Sequence, residues 1–344
     1  MRAFVVTGPG EAGVRQVEPP RAAAGEVVVT VARAGVCGTD VEFFTGEMQY
    51  LHDGNASYPM RLGHEWMGTV TAVGDDVDRS WLGRRVTGDT MLGCGACRRC
   101  RAGFHHVCEF RTEIGVRAGR PGALAERLAV PVAALRALPD SVDDVAGALV
   151  EPGGNALRAV RAAGLHPGDT VLVIGPGTIG LLAAMFARAA GADVHVLGES
   201  EPSLAFARTL RVENAWTEQT LPQLRWDAVI DASNAPQIPA RALDLVEPGK
   251  RVVYIGIAGT PSAVDTRTLV LKDVTAVGIL GASAGLDGAI DAYASGVVDP
   301  RPLVAATVSL DDVAAVLRGE RPRGAGAGPK VHVRIEGLEP GSSP

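Results

Sequence analysis

Residues 171–180 read VLVIGPGTIG. An apolar run ends in glycines at 175, 177 and 180, the G-x-G-x-x-G spacing, after a predicted strand and before a predicted helix through Leu181–Ala190. Each glycine has a separate use in a dinucleotide site. Gly175 permits the sharp turn, Gly177 lets a pyrophosphate approach the backbone, and Gly180 lets the helix pack on the strand. Thr178 and Ile179 complete the turn, where the helix N-terminus offers unpaired N–H groups to an anion. A glycine-rich turn that binds nothing is the competing reading of the motif taken alone, so its surroundings decide.

Outward from this turn, apolar strand signals recur at DVHVLG (193–198), DAVIDA (227–232), RVVYIGI (251–257) and VTAVGIL (274–280), with helix-length segments between most of them. Such alternation predicts an α/β unit with a doubly wound parallel sheet. The second strand ordinarily ends in an acid that accepts from the adenosine ribose of NAD. Here Gly198 stands at that position and Glu199 and Ser200 follow, while no arginine appears until Arg208. Loss of the acid favours NADP, whereas Glu199 would repel a 2′-phosphate, so NAD and NADP both stay open.

Upstream, β-branched runs such as Val27–Val31, Gly68–Val73 and Leu128–Val130 are punctuated by Gly and Pro and predict a mostly β domain. Past residue 295 the rhythm loosens. VSLDDVAAVLRG (308–319) predicts a helix with Ser309 near its start, and KVHVRI (330–335) a last strand that returns to the first domain. RPRGAGAGP (321–329) is a turn-rich loop, and GLEPGSSP (337–344) reads as a frayed end.

A chain of 344 residues is long enough for about two domains. With 47% hydrophobic and 21% charged residues it is no disordered chain. A formal net charge of −6 argues against nucleic-acid or anionic-membrane partners. No apolar run reaches the roughly 18–20 residues of a bilayer span, and MRAFVVTGPG lacks the features of a secretory leader, which predicts a cytoplasmic protein. The 43 glycines imply many tight turns and close backbone approaches.

Four of the five cysteines fall in GCGACRRCRAGFHHVC. Cys94, Cys97, Cys100 and Cys108 have the spacing C-x2-C-x2-C-x7-C, which suits a closed tetrahedral zinc site of structural kind. Redox chemistry and an iron–sulfur cluster use the same ligands and remain alternatives. His105 and His106 lie between the last two cysteines and read as surface residues, because the shell is already full. The fifth cysteine, Cys37, sits in GVCGTD, while LGHEWMG carries His64 and Glu65 and VEPGGNA carries Glu151. A thiolate, an imidazole and two carboxylates suit a catalytic zinc with an exchangeable position.

In this order, GVCGTD, LGHEWMG, the four-cysteine lobe, VEPGGNA and VLVIGPGTIG resemble the zinc-dependent medium-chain dehydrogenase family over nearly the whole chain. The resemblance implies a GroES-like catalytic domain from residues 1–153 and 296–344, including a structural zinc lobe at 93–110, with a Rossmann domain of residues 154–295 inserted and an active-site cleft at their junction. It further implies two zinc ions per chain and hydride exchange between an alcohol or carbonyl substrate and NAD or NADP. Cys37 and His64 match zinc ligands; Glu65 and Glu151 match carboxylates that bind zinc directly or through water. Asp40 matches the acid that orients the zinc-bound imidazole. Thr39 matches a hydroxyl residue beside the substrate oxygen, and Glu42 stands where many relatives carry a proton-relay histidine. Glu42 and Glu113 match archaeal glucose dehydrogenases, where the latter contacts sugar hydroxyls, and lean the substrate towards a polyol, sugar or cyclitol. Against that, Phe43, Phe44, Tyr50 and Tyr58 offer an apolar pocket for a simple aliphatic or aromatic alcohol, or else core packing. A zinc-independent reductase and a catalytically silent member are further alternatives, and the family implies a homodimer or homotetramer.

Overall fold

The computed structural model describes residues 1–335, so the expectation for 337–344 lies outside the described residues. Two compact units divide the chain. One takes Met1–Glu151 with most of the chain after Val304; the other takes Pro152–Leu303 with Ala327–Pro329. These divisions fall at 151/152 and 303/304, where the sequence reading put 153/154 and 295/296.

The first unit is built around β1 (Glu26–Val36), whose pattern of buried valines fits a strand covered on both faces. It leads through Cys37 into α1 (Gly38–Thr45) and pairs antiparallel with β2 (Glu65–Val73). Phe4, Phe43, Trp66, Leu124 and Leu128 fill the core of this unit. An ancillary two-stranded sheet pairs Met91–Leu92 with Thr112–Glu113. The helix α2 (Val150–Ala163) starts in this unit, with Glu151 in its first turn, and from Pro152 onward belongs to the other.

In the second unit the strands are β3 (Thr170–Ile174), β4 (Asp193–Leu197), β5 (Asn214–Trp216), β6 (Trp226–Asp231), β7 (Val246–Tyr254) and β8 (Thr275–Gly278). They pair in parallel in the order β5-β4-β3-β6-β7-β8, with α3 (Thr178–Ala189) following β3 and α4 (Glu201–Thr209) following β4. This is the doubly wound arrangement expected, and its order reverses beside β3, where crevice sites form. Val171, Leu172 and Val173 are fully buried, as a central strand with helices on both faces requires.

The chain then returns to the first sheet through β9 (Val304–Val308) and β10 (Lys330–Arg334), the latter antiparallel to the end of β1. The helix expected over 308–319 is shorter. A 3₁₀ turn at Leu310–Asp312 precedes a helix of Val313–Leu317, because Ser309 and Asp312 form a reciprocal cap that tightens the entry.

Candidate metal centres and dinucleotide turn

Cys37 is the extended N-cap of α1, and two residues beyond Gly38 the carboxylate of Asp40 turns back on it. Asp40 Oδ2 accepts from the Cys37 N–H at 2.9 Å and Oδ1 from the Gly63 N–H at 3.3 Å. A fully buried side chain therefore ties the segment carrying Cys37 to the one carrying His64 and Glu65. From Oδ1 to His64 Nδ1 is 3.7 Å, beyond hydrogen-bond reach, so Asp40 fixes the two backbones rather than the ring directly. Burial pushes the Asp40 carboxyl up from its usual range, with His64 and the Cys37 N–H working against that. Burial likewise disfavours the His64 cation, but Asp40, Cys37 and Glu151 outweigh it and raise His64 well above its ordinary value.

The donor atoms of Cys37, His64 and Glu65 all lie within 4.8 Å of one another. Glu151 lies outside that cluster, although it is buried and His64 feels its charge. Thiol, imidazole and carboxylate in an acidic surrounding suit a zinc ion. Glu65 has a second claim on it. Lys330 Nζ donates to Oε1 at 2.7 Å, to Oε2 at 2.8 Å and to the Val36 carbonyl at 3.0 Å. Burial disfavours the Lys330 cation, yet Glu65 and Cys37 hold its pKa above the usual value. The carboxylate can lie across β1 because the intervening residue is glycine: a Cβ on Gly35 would sit 2.1 Å from Glu65 Oε2. Gly35 pairs with Glu65 on one side and His332 on the other. His332 is fully buried with neither ring nitrogen hydrogen-bonded, and burial, then Lys330 and Arg33, push its pKa down to about 3.

Sequence reasoning missed Lys330, one of three lysines in the chain. No spacing links it to Glu65.

Thr39 is half-buried near the start of α1, and Glu42 lies on the same helix. Partial burial, then Glu47, raise the Glu42 carboxyl above its usual pKa. Glu113 is buried, and its Oε1 accepts from Arg111 Nε at 2.7 Å and from Tyr50 Oη at 3.3 Å. Arg111 also donates to Tyr50 at 2.9 Å, and Arg117 lies 5.4 Å above the Tyr50 ring. Phe43 and Phe44 belong to the core, and Tyr58 donates to the Phe43 carbonyl at 2.5 Å.

The cysteine lobe is built locally. Cys94 Sγ lies 4.0 Å from Cys100 Sγ, and Cys97 Sγ lies 3.7 Å from Cys108 Sγ. A tetrahedron with Zn–S bonds of about 2.3 Å has edges of about 3.8 Å, so the sulfurs fit one zinc ion. Backbone N–H groups of Cys97, Cys100 and Phe110 donate to Cys94, Cys97 and Cys108 sulfurs. The N–H of Cys100 holds the Cys97 thiol down at about 6, in the range where thiolate forms. The reading of the neighbouring histidines needs correction. His106 is buried rather than at the surface, packed edge-on against His105, and His105 pairs with the buried Asp89 at 2.7 Å, anchoring the lobe to the sheet.

At the end of β3, Gly175 has φ +97°, and a Cβ on Gly180 would lie 1.9 Å from the Gly175 carbonyl oxygen. Gly177 caps α3 without a side-chain bond, and nothing stands within 4 Å of where its Cβ would be. The space over the N–H groups of Thr178, Ile179 and Gly180 is a cradle that a side chain would fill, and a pyrophosphate fits it. Gly198 and Glu199 follow β4, and Ser200 caps α4.

The model of the alcohol dehydrogenase GroES-like domain matches residues 23–140, and that of the zinc-binding dehydrogenase matches residues 178–295. L-threonine 3-dehydrogenase of Idiomarina loihiensis is 33% identical over 277 residues, covering 77% of this chain and 80% of its own length. A dehydrogenase of Escherichia coli CFT073 solved with NADH superposes with a TM-score of 0.88 at 27% identity, over 97% of this chain and 99% of that one. A structure from Sinorhizobium meliloti 1021, described as a zinc-binding dehydrogenase and bound to NADP, gives 0.87 at 27% identity over 97% and 98%.

Proposed function

The chain belongs to the zinc-dependent medium-chain dehydrogenase family and is an NAD(P)-dependent alcohol or polyol dehydrogenase, and on that premise we propose how its residues do the work. Cys37 and His64 ligate the catalytic zinc, with Glu65 or Glu151 as the third protein ligand; Cys94, Cys97, Cys100 and Cys108 hold a structural one. The observation that carries this reading is the largely buried thiol–imidazole–carboxylate cluster, which a zinc-independent reductase has no need of. When bound, zinc supplies the Lewis acidity that lowers the pKa of a substrate hydroxyl, and the nicotinamide takes up the hydride.

The chain's own residues orient substrate and move the proton. Asp40 keeps the Cys37 and His64 segments in register through its two backbone bonds. Thr39 accepts the substrate hydroxyl proton and passes it outward by way of Glu42, whose raised pKa brings it closer to the range where it can both take up and release one. Glu113, whose Oε1 accepts from Arg111 and Tyr50, contacts a second hydroxyl of the substrate in this reading, which is the resemblance's lean towards a polyol, sugar or cyclitol over a simple alcohol. L-Threonine 3-dehydrogenase, the relative described above, is named for a hydroxy amino acid, so that class belongs among the candidates.

The protein assembles as a homodimer or homotetramer in this reading. The outermost strand β8 is exposed along most of its length, and Ile257, Val270 and Leu271 are 73%, 73% and 85% exposed, apolar surface that a second copy would cover. No helix among the described residues is long and apolar enough to cross a membrane, and the zinc reading uses all five cysteines as ligands and needs no disulfide; we read the protein as cytoplasmic.

Zinc-loaded protein assayed on secondary alcohols, polyols and hydroxy amino acids with each dinucleotide tests the proposal. Turnover appears with at least one class, and Cys37→Ser and His64→Ala reduce it to background while the dinucleotide dissociation constant stays unchanged. An unchanged kcat in both variants overturns the zinc assignment.

A further inference from the structure

We propose that this chain selects NAD over NADP, that Glu199 is the residue that selects, and that Pro176 is what bars the preceding position to an acid. The inference rests on the reading of the second unit as a nicotinamide dinucleotide site.

The end of β4 is where a carboxylate ordinarily receives the ribose hydroxyls. At Gly198 none can be placed. A Cβ there would lie 2.7 Å from Cγ and 2.9 Å from Cδ of Pro176, and 3.1 Å from Leu204 Cδ2. Pro176 is no flexible neighbour that swings aside: its ring is closed, and it stands between Gly175, whose N–H donates to the Leu197 carbonyl at 2.9 Å, and Gly177, the cap of α3. Gly198 is held as firmly, since its N–H donates to the Trp216 carbonyl at 3.0 Å. The proline inside the phosphate turn and the glycine just after the next strand are one feature, two halves of a contact.

Glu199 is therefore the first carboxylate after the strand, and it is exposed. Its backbone runs straight into the cap of α4, where Ser200 Oγ accepts from the Ser203 N–H. Cations that would welcome a 2′-phosphate are missing or engaged. Residues 193–207 contain no lysine or arginine. Arg208 spends its two terminal nitrogens on Glu201 Oε1 at 2.5 Å and the Ala215 carbonyl at 2.8 Å. Arg188 is bonded to the Leu210 and Arg211 carbonyls, and Arg241 to Glu218. His195 is buried and accepts from Trp216 Nε1 at 3.0 Å. A phosphate of charge about −1.5 to −2 would meet the carboxylates of Glu199 and Glu201, while Arg188, Arg208 and Arg241 are already bonded elsewhere.

Titration of the zinc-loaded full chain with NAD⁺ and NADP⁺, followed by calorimetry, reads the selectivity without turnover. NAD⁺ binds at least ~10-fold more tightly than NADP⁺, and Glu199→Gln weakens NAD⁺ and narrows that ratio. Gly198→Asp alone weakens both dinucleotides; adding Pro176→Ala recovers NAD⁺ affinity, a non-additivity that two unrelated sites would not show. Glu199 is an exposed residue, so its variant keeps the test valid even where the Gly198 variants do not fold. NADP⁺ binding as tight as NAD⁺, or a ratio unmoved in Glu199→Gln, overturns the selectivity alone. Binding of neither dinucleotide overturns the underlying reading with it.

Discussion

The sulfurs of Cys94, Cys97, Cys100 and Cys108 come from one short stretch and are oriented by their own backbone N–H groups, whereas Cys37, His64 and Glu65 are gathered from strand ends by Asp40, Gly35 and Lys330. One cluster is half open to solvent and chemically uniform; the other is largely buried, mixed, and carries a lysine that competes for one of its donors. A closed structural shell needs only local turns. A site that must keep a position for substrate needs long-range scaffolding, and its charges have to be balanced by residues far away in the chain.

That difference can be broken deliberately. Lys330→Met leaves Glu65 buried and unpaired, and without zinc it costs about 3–5 kcal/mol of stability in denaturant unfolding. Loading zinc recovers part of that loss if Glu65 turns to the metal. A loss equally large with and without zinc would show that Glu65 serves only the lysine. The corresponding cut in the lobe, at any surface arginine of residues 98–101, has no buried partner to orphan.

A smaller effect comes from His332, across Gly35 from Glu65. Its folded pKa, about 3, lies below the unfolded value near 6.5, so the unfolded chain binds the extra proton first. Above pH 6.5 the ring is neutral in both states and its titration costs nothing, and stability drains away as pH falls from there towards 3. His332→Leu removes about 1.4 kcal/mol per pH unit from the slope of that acid limb. Identical acid limbs in the two proteins would contradict the buried, neutral assignment.

The same contrast governs what could be read from the sequence. The glycine turn and the four-cysteine lobe are local, so spacing alone displayed them, and the strands of the second unit followed from continuous apolar runs. The strand Asn214–Trp216 escaped because three residues show no period. Lys330 escaped because its partner lies on another strand reached only through the antiparallel return of the chain. For Phe43 and Phe44 the spacing favours core over a substrate pocket without deciding it, and the packing of both rings is core. Asp40 was visible as an acid in GVCGTD, but its bond to the Gly63 N–H depends on tertiary approach. The contact between Pro176 and Gly198 is of the same kind: each residue is odd in its own motif, and only together do they have a cause.

Zinc content per folded chain, measured by mass spectrometry of metals on wild type, Cys37→Ser and Cys97→Ser, tests the two-cluster account most directly. The account predicts about two zinc ions in wild type, with the Cys37 variant keeping the lobe's ion and losing turnover. The Cys97 variant loses the lobe's ion and part of its thermal stability while keeping the other. A single zinc in wild type that Cys37→Ser does not disturb would contradict it.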